Sequence, residues 1–280
     1  MDLLVFLAVL AAAACHAGWN TLLKMDLESI TATSIVAVAT GLIGVPFALV
    51  VGLPAVAAWS YIIASVAIHV AYYLALAQAY RHGDLGQVYP IARGSAPLMT
   101  AGLATAWLGE TLGPYGWAGV VVLASGIVLL AVRGGRALHF DARSVGFALL
   151  TSITITAYTL VDGTGARLSG SPLHYTVWLF LLSGGAMAVY GLVRIGPRLI
   201  GDFAANWKLA MAGAALSTAS YAIAIWAMTV APIALVAALR ETSVLFAALF
   251  ATVLLREPLL AARIAAACLV LAGVVLVRLR

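Results

Sequence analysis

The chain has 280 residues, of which 64% are hydrophobic and only 9% are charged. Soluble domains carry about 25% charged residues, so this composition excludes an ordinary soluble protein and indicates a membrane protein. The net charge of +5 is spread thinly between apolar runs, without a basic patch. That distribution argues against a nucleic-acid partner and is typical of the positive-inside effect.

Ten apolar runs are long enough to cross a bilayer, which takes about 20 mostly apolar residues per helix. We predict spanning helices at residues 2–23, 30–51, 57–80, 85–108, 114–132, 144–162, 172–193, 208–229, 231–255 and 259–278. Glycine and proline separate the runs, and the connections between them are short. The predicted fold class is therefore an all-α polytopic membrane protein without a soluble domain.

The sequence contains no pattern of a metal, nucleotide or catalytic site. Cys15 and Cys268 both lie in apolar runs, and neither a His-Glu-x-x-His pattern nor a P-loop is present. Lys24 and Lys208 stand at predicted helix ends, so a Schiff base inside the membrane is not indicated. We expect no metal, no cofactor and no catalytic residue.

The two halves of the sequence are similar at an offset of 147 residues, which aligns 71–133 with 218–280 without a gap. The matched pairs include Arg93 with Arg240, Glu110 with Glu257, Gly126 with Gly273 and Arg133 with Arg280. Charged residues are rare here, so their matching indicates an internal repeat. We predict an N-terminal five-helix repeat at 1–133 and a C-terminal one at 144–280. An odd number of spans inverts the second repeat, as in many secondary transporters, which bind substrate between the repeats.

Arg93 and Arg240 stand inside predicted spans, where an arginine costs roughly 2.5–3.5 kcal/mol on insertion scales. Polar and aromatic residues in spans one, three, four, six, eight and nine share helix faces by their spacing, and such faces turn toward other helices or a cavity. The candidate substrate-binding residues are His16, Trp19, Asn20, His69, Tyr72, Tyr73, Tyr89, Arg93, Tyr158, Tyr221 and Arg240. The alternative is that the polar residues only hydrogen-bond between helices, and that Trp19 and Tyr89 serve packing or interface anchoring.

Arg93 has two possible roles in this pattern. It could bind a substrate carboxylate through a bidentate charge-assisted pair, or it could form a salt bridge with Glu241. Glu241 follows Arg240 directly, so the two side chains project about 100° apart on one helix and pair poorly. Glu241 is also the first candidate for proton coupling. Asp162, at the predicted wet end of its helix, is the second.

Several segments together resemble a known family. They are HAGWNTLLK near the start, YPIARGSAP and WLGE in span four, YTLVDGTGAR in span six and ETSVLFAALFATVLLREPL in span nine. Their order and spacing resemble the EamA branch of the drug/metabolite transporter superfamily over essentially the whole chain. The resemblance implies two inverted five-helix repeats and a central cavity lined by helices one, three, four, six, eight and nine. Characterised members include exporters of amino acids and other small metabolites, among them the YddG-type exporters of aromatic amino acids.

The expected function is a secondary transporter that exports amino acids or similar small metabolites by alternating access. Its expected partners are the small-molecule substrate and the lipid of a bacterial-type inner membrane, and a monomer is one expectation for its oligomeric state. A multidrug or nucleotide-sugar-like carrier is an alternative. An intramembrane enzyme, which would need a pair such as Ser95 with His69, is a weaker one. Counting basic residues in the loops favours termini outside, whereas the family resemblance favours cytoplasmic termini.

Overall fold

The computed structural model describes residues 1–22, 29–82, 85–134, 142–254 and 261–279, and within these ranges it contains twelve helices and no strand. The first six helices are α1 (Leu3–Leu22), α2 (Ser29–Val50), α3 (Val56–His82), α4 (Leu85–Leu108), α5 (Gly113–Gly134) and α6 (Ala142–Leu168). The second six are α7 (Pro172–Arg194), α8 (Arg198–Ala205), α9 (Trp207–Val230), α10 (Ile233–Arg240), α11 (Ser243–Leu254) and α12 (Ala261–Arg278).

The helices begin and end at the turn residues that the sequence provides. Helix α7 starts with Ser171 as its N-cap, which accepts a hydrogen bond from the His174 N–H, and with a proline in its first turn. At its other end, Gly196 adopts a φ of +76° and donates its N–H to the carbonyl of Leu192. A left-handed residue that closes a helix in this way is usually glycine, because it has no Cβ to clash.

Three boundaries differ from the sequence prediction. Helix α6 continues to Leu168 and does not end at 162, and the short helix α8 lies in a segment for which no helix was predicted. The prediction of one continuous helix at 231–255 is wrong, because α10 and α11 are separated at Glu241 and Thr242. The N–H groups of these two residues donate to carbonyls three positions back, at Ala238 and Leu239, which is the tighter hydrogen-bond pattern of a 3₁₀ turn.

The main helix contacts join the first half of the chain to the second. Helix α1 packs on α9, α3 on α6, α2 on α7 and α5 on α12. Helix α10 lies at the centre, and every residue from Ile233 to Leu239 is buried. The core therefore contains residues of both halves of the chain.

Two of these contacts depend on the absence of side chains at glycine. A Cβ on Gly184 of α7 would lie 2.6 Å from the Cα of Gly41 on α2. In the contact of α5 with α12, a Cβ on Gly119 would lie 2.9 Å from the carbonyl oxygen of Gly273. Small residues allow such close approach, which is the main way in which helices gain packing energy in a membrane.

By length and composition, seven stretches of the described chain can cross a membrane, and two shorter apolar helices accompany them. The stretch Ile233–Phe250 counts as one of the seven although its helix is interrupted. The all-helical membrane class is confirmed. The number of ten spans stays a prediction.

Candidate functional site

A cavity of about 110 Å³ lies at the centre of the bundle, and most of its lining residues are near the middle of their helices. Its polar and aromatic lining residues are His16, Trp19, Thr33, Thr40, His69, Tyr72, Tyr73, Arg93, Tyr158, Phe180, Ser183, Ser217, Ser220, Tyr221 and Arg240. Among the described residues, the lining includes two arginines and no aspartate or glutamate. The lining is therefore rich in aromatic side chains and in basic groups.

Helices α2 and α7 line the cavity as well, although none of the predicted binding residues lies on them. Thr33, Ala37 and Thr40 of α2 follow a helical spacing, and so do Phe180, Ser183 and Met187 of α7. This spacing was the available signal for these residues. It is weak because single hydroxyl groups are also common where helices merely pack together in a membrane.

His16 stands between two hydrogen-bond donors. Its Nε2 lies 2.7 Å from a terminal nitrogen of the Arg93 guanidinium, and its Nδ1 lies 3.2 Å from the Trp19 indole nitrogen. Arginine and tryptophan can only donate, whereas a neutral imidazole has a single acceptor nitrogen. His16 therefore accepts a hydrogen bond from only one of them at a time, and a charged imidazolium could accept from neither.

Arg93 also contacts a carboxylate from the other half of the chain. Its Nε lies 3.2 Å from Oε2 of Glu241, and both side chains are less than one-tenth exposed. Glu241 reaches this position because the chain turns between α10 and α11. The structure thus contains the Arg93–Glu241 pair, and Glu241 is not among the residues that line the cavity.

Arg240, the repeat partner of Arg93, has a different environment. Its guanidinium carbon lies 4.9 Å from the centre of the Tyr221 ring. Such a cation–π contact is favourable by about 0.5–2 kcal/mol, depending on how far it is desolvated. No carboxylate of the described residues lies within ion-pair distance of Arg240. Its positive charge therefore faces the cavity.

Asp162 is completely buried and is held by two tyrosines. The Tyr175 hydroxyl donates to Oδ1 at 2.9 Å, and the Tyr221 hydroxyl donates to Oδ2. The expectation that Asp162 lies at the wet end of its helix is wrong, because α6 continues to Leu168 and places the carboxylate inside the bundle. Tyr221 thus has Arg240 on its ring and Asp162 on its hydroxyl.

Aromatic rings form one side of the cavity. His69 stacks on Tyr158 with ring centres 4.4 Å apart, and its edge meets Tyr221 at 5.9 Å. Tyr72 contacts both Tyr73 and Tyr158, at 5.1 and 5.8 Å between ring centres. Because helices α3, α6 and α9 all contribute, this wall exists only in the assembled bundle.

Nine of the eleven candidate binding residues line the cavity. Asn20 does not, because its side chain donates at 2.8 Å to the carbonyl of His16 on its own helix. Tyr89 lies on α4, but its side chain is outside the described part of the structure. Ser95 donates to Ser152 at 2.9 Å and His69 contacts the Ser65 carbonyl, so the example pair of Ser95 with His69 is not hydrogen-bonded in the described structure. In the described ranges no group of three His, Cys, Asp or Glu residues could hold a metal.

A separate polar cluster joins α4, α6 and α10. Glu110, just beyond α4, accepts from Arg167 of α6 at 2.8 Å and from the N–H groups of Ile233 and Ala234 at the start of α10. Arg167 also donates to the carbonyls of Met228 and Ala231. A carboxylate stabilises the positive end of a helix, so Glu110 caps α10 while it ties α4 to α6.

Comparison with known proteins identifies the class of this fold and cavity. The profile of the EamA-like transporter family matches residues 3–132 and 142–279, once in each half of the chain. The chain belongs to this family and is a multi-pass integral membrane protein. The predicted family is confirmed, and the aromatic amino-acid exporter subtype stays a prediction.

A solved crystal structure has the same fold, with a TM-score of 0.77 over 99% of this chain and 96% of the other. The two sequences are 16% identical. The sequence matches none of the curated proteins with which it was compared.

Proposed function

We propose that the protein is a secondary transporter of small carboxylate-bearing metabolites, amino acids among them, and that it works by alternating access. The central observation is a cavity built by helices of both halves, with Arg93 and Arg240 among its lining residues. Guanidinium groups bind carboxylates through charge-assisted and often bidentate hydrogen bonds. Export is the proposed direction, by analogy with characterised members of the family.

The size of the cavity favours a small metabolite. An apolar cavity of about 150 Å³ accommodates benzene, and pockets for drug-sized ligands are about 300–1,000 Å³. At about 110 Å³ the cavity matches a compact substrate and not a nucleotide sugar or a bulky drug. The multidrug and nucleotide-sugar alternatives are therefore less well supported.

The packing of the helices supports the proposal of ten spans in two inverted repeats, at 1–133 and 144–280. With α9 counted as span eight, the contact of α1 with α9 joins span one to span eight, and the contact of α3 with α6 joins span three to span six. In two five-span repeats, span one corresponds to span six and span three corresponds to span eight. Exchanging corresponding spans therefore turns the contact of spans one and eight into the contact of spans six and three. Two repeats related by a two-fold axis would have this property.

Alternating access requires each end of the bundle to open in turn. The cluster of Glu110 and Arg167 joins α4 to α6 and α10 at one end of the bundle. We infer that this end is closed in the present conformation and that the cluster separates when the two repeats rock against each other. The middle of the cavity would then face the opposite side of the membrane.

We propose Asp162 as the proton-coupling residue in preference to Glu241. Glu241 is paired with Arg93, so its protonation would leave a buried guanidinium without its counter-ion. The partners of Asp162 are hydroxyl groups, which can donate to a carboxylate or accept from a carboxylic acid. The site can therefore satisfy its hydrogen bonds in both protonation states.

The test is transport by purified protein in liposomes, with a panel of amino acids and other small carboxylates, with and without a pH gradient. We expect saturable exchange of at least one compound, and loss of the gradient effect in Asp162→Asn with exchange retained. The matched control is Asp202→Asn, which removes a carboxylate on α8 away from the cavity. Failure to transport any member of the panel would overturn the proposal.

A further inference from the structure

The two repeats supply the cavity with unequal charge. The repeat alignment pairs Arg93 with Arg240, but the next residue is Gly94 in the first repeat and Glu241 in the second. Two guanidinium groups thus come with one carboxylate, and that carboxylate contacts Arg93 on the opposite helix. Within the described residues, the arginine of this pair that has no carboxylate at ion-pair distance is Arg240.

Arg240 is placed to use this charge. Its guanidinium lies over the face of Tyr221, a contact that uses the charge of the group and not its N–H donors. Its side chain lines the cavity and is only half-buried. Within the described residues no salt bridge or side-chain hydrogen bond occupies it. The planar N–H groups therefore remain available to an incoming oxyanion.

We propose that Arg240 binds the negative group of the substrate and that the cavity selects small organic monoanions over zwitterions and cations. This inference rests on the proposed transport function and narrows its substrate class. The preferred substrates are compact monocarboxylates, such as hydroxy acids, which lack a compensating ammonium group.

The cavity is expected to disfavour an ammonium group because it offers no carboxylate to pair with one. Among the described lining residues there is no carboxylate. The oxygens of Asp162 already accept from Tyr175 and Tyr221, and Glu241 pairs with Arg93. An ammonium group would lose its water close to Arg240 without gaining a counter-ion, and such uncompensated desolvation opposes binding.

The test compares lactate with alanine, which differ in a hydroxyl against an ammonium group on the same three-carbon frame. Equilibrium binding of radiolabelled lactate to the purified full chain is measured, with alanine and propylamine as competitors. We expect lactate to bind at least about tenfold more tightly than alanine, and propylamine to compete less than alanine. A charge-assisted hydrogen bond corresponds to a factor of about 10 or more in affinity. Equal or tighter binding of alanine or propylamine, or no binding of lactate, would overturn the inference.

Variants locate the anion site. Arg240→Gln is expected to weaken lactate binding at least about tenfold, and Arg240→Lys by less, because the charge is kept while the planar fork is lost. The double variant Arg93→Gln with Glu241→Gln is expected to weaken binding less than Arg240→Gln does. The control Arg198→Gln removes an exposed arginine on α8 and is expected to leave binding unchanged. A larger loss in the double variant would assign the anion to Arg93 and overturn the inference.

The outcomes separate this inference from the transport proposal. Arg240-dependent binding of lactate by a protein that transports nothing in the liposome panel would overturn transport and keep the anion site. Transport of amino acids by Arg240→Gln at the wild-type rate would overturn the anion site and keep transport. If Arg240→Gln does not fold, the comparison of lactate with alanine on the wild-type protein still decides the substrate class.

Discussion

Arg93 of α4 and Glu241, at the turn between α10 and α11, form a buried ion pair with 3.2 Å between Nε and Oε2. The pair joins the two halves of the chain beside the cavity. It also accounts for an arginine whose charge would otherwise be costly inside a membrane. The partner is available because α10 ends one residue before Glu241, so that the carboxylate lies outside a regular helix.

Breaking this pair on one side should destabilise the protein. Arg93→Ala leaves the Glu241 carboxylate buried without its counter-ion, and such a change costs about 3–5 kcal/mol. We expect a clear drop in the thermal unfolding midpoint in detergent. The double variant Arg93→Gln with Glu241→Gln removes both charges and should recover much of the loss. An unfolding midpoint for Arg93→Ala equal to that of the wild type would contradict a structural role for the pair.

The contact of α5 with α12 should not tolerate a methyl group at Gly119. A Cβ there would lie 2.9 Å from both the Gly273 carbonyl oxygen and the Val277 backbone nitrogen, and overpacking of this kind costs about 1–3 kcal/mol. Gly119→Ala is expected to lower the unfolding midpoint.

The matched control for this contact is Gly102→Ala, also a helical glycine, where the added Cβ meets nothing within 4 Å. We expect that substitution to be neutral or stabilising by up to about 1 kcal/mol, because alanine restricts the unfolded chain. Equal effects of the two substitutions would show that close helix approach is not required at Gly119.

If the Glu110 cluster closes its end of the bundle, as we propose, loss of the Glu110 carboxylate should open that end. Glu110→Gln removes the ion pair with Arg167 and weakens the cap on α10. In a background without Cys15 and Cys268, a cysteine placed at the buried position of Ile233 should then react faster with a maleimide.

The control for this prediction is Asp202→Asn, which breaks the exposed pair of Arg198 with Asp202 on α8. Exposed pairs of this kind contribute little, with a median of about 0–1 kcal/mol, so the labelling rate should not change. An unchanged rate in Glu110→Gln would mean that this cluster does not hold the end closed.

The two tyrosine donors of Asp162 should matter for stability. Tyr175→Phe removes one hydroxyl from a fully buried carboxylate, and an unsatisfied buried group costs about 1–3 kcal/mol. The conservative control is Tyr115→Phe at an exposed position, which should leave the unfolding midpoint unchanged. In a double-mutant cycle, Asp162→Asn should reduce the effect of Tyr175→Phe, since the two residues act as one unit. Additive effects would contradict the hydrogen bond.

Residue spacing anticipated much of the cavity but not its full circumference. Arg93, His69 and Tyr158 stood out because polar and aromatic groups are rare and expensive inside apolar runs. The cavity residues of α2 and α7 did not stand out, because a lone hydroxyl group such as that of Thr33 or Ser183 is equally compatible with simple helix packing. Asn20 does not line the cavity in this conformation, because its amide donates to the backbone of its own helix, which the sequence pattern does not reveal; its role in binding stays a prediction.

The sequence by itself determined the membrane class, the internal repeat and the family. Composition, matched charged residues and the order of motifs can all be read without knowing how the helices pack. Only the tertiary structure decided which groups the buried charged side chains contact. At the helix break, the Glu241 carboxylate contacts Arg93 of the other half of the chain. Because α6 extends to Leu168, Asp162 is buried and accepts hydrogen bonds from two tyrosines. Both outcomes depend on where helices that are distant in sequence meet. A charge in a low-dielectric interior is governed by its nearest partner in space and not by its neighbour in the chain.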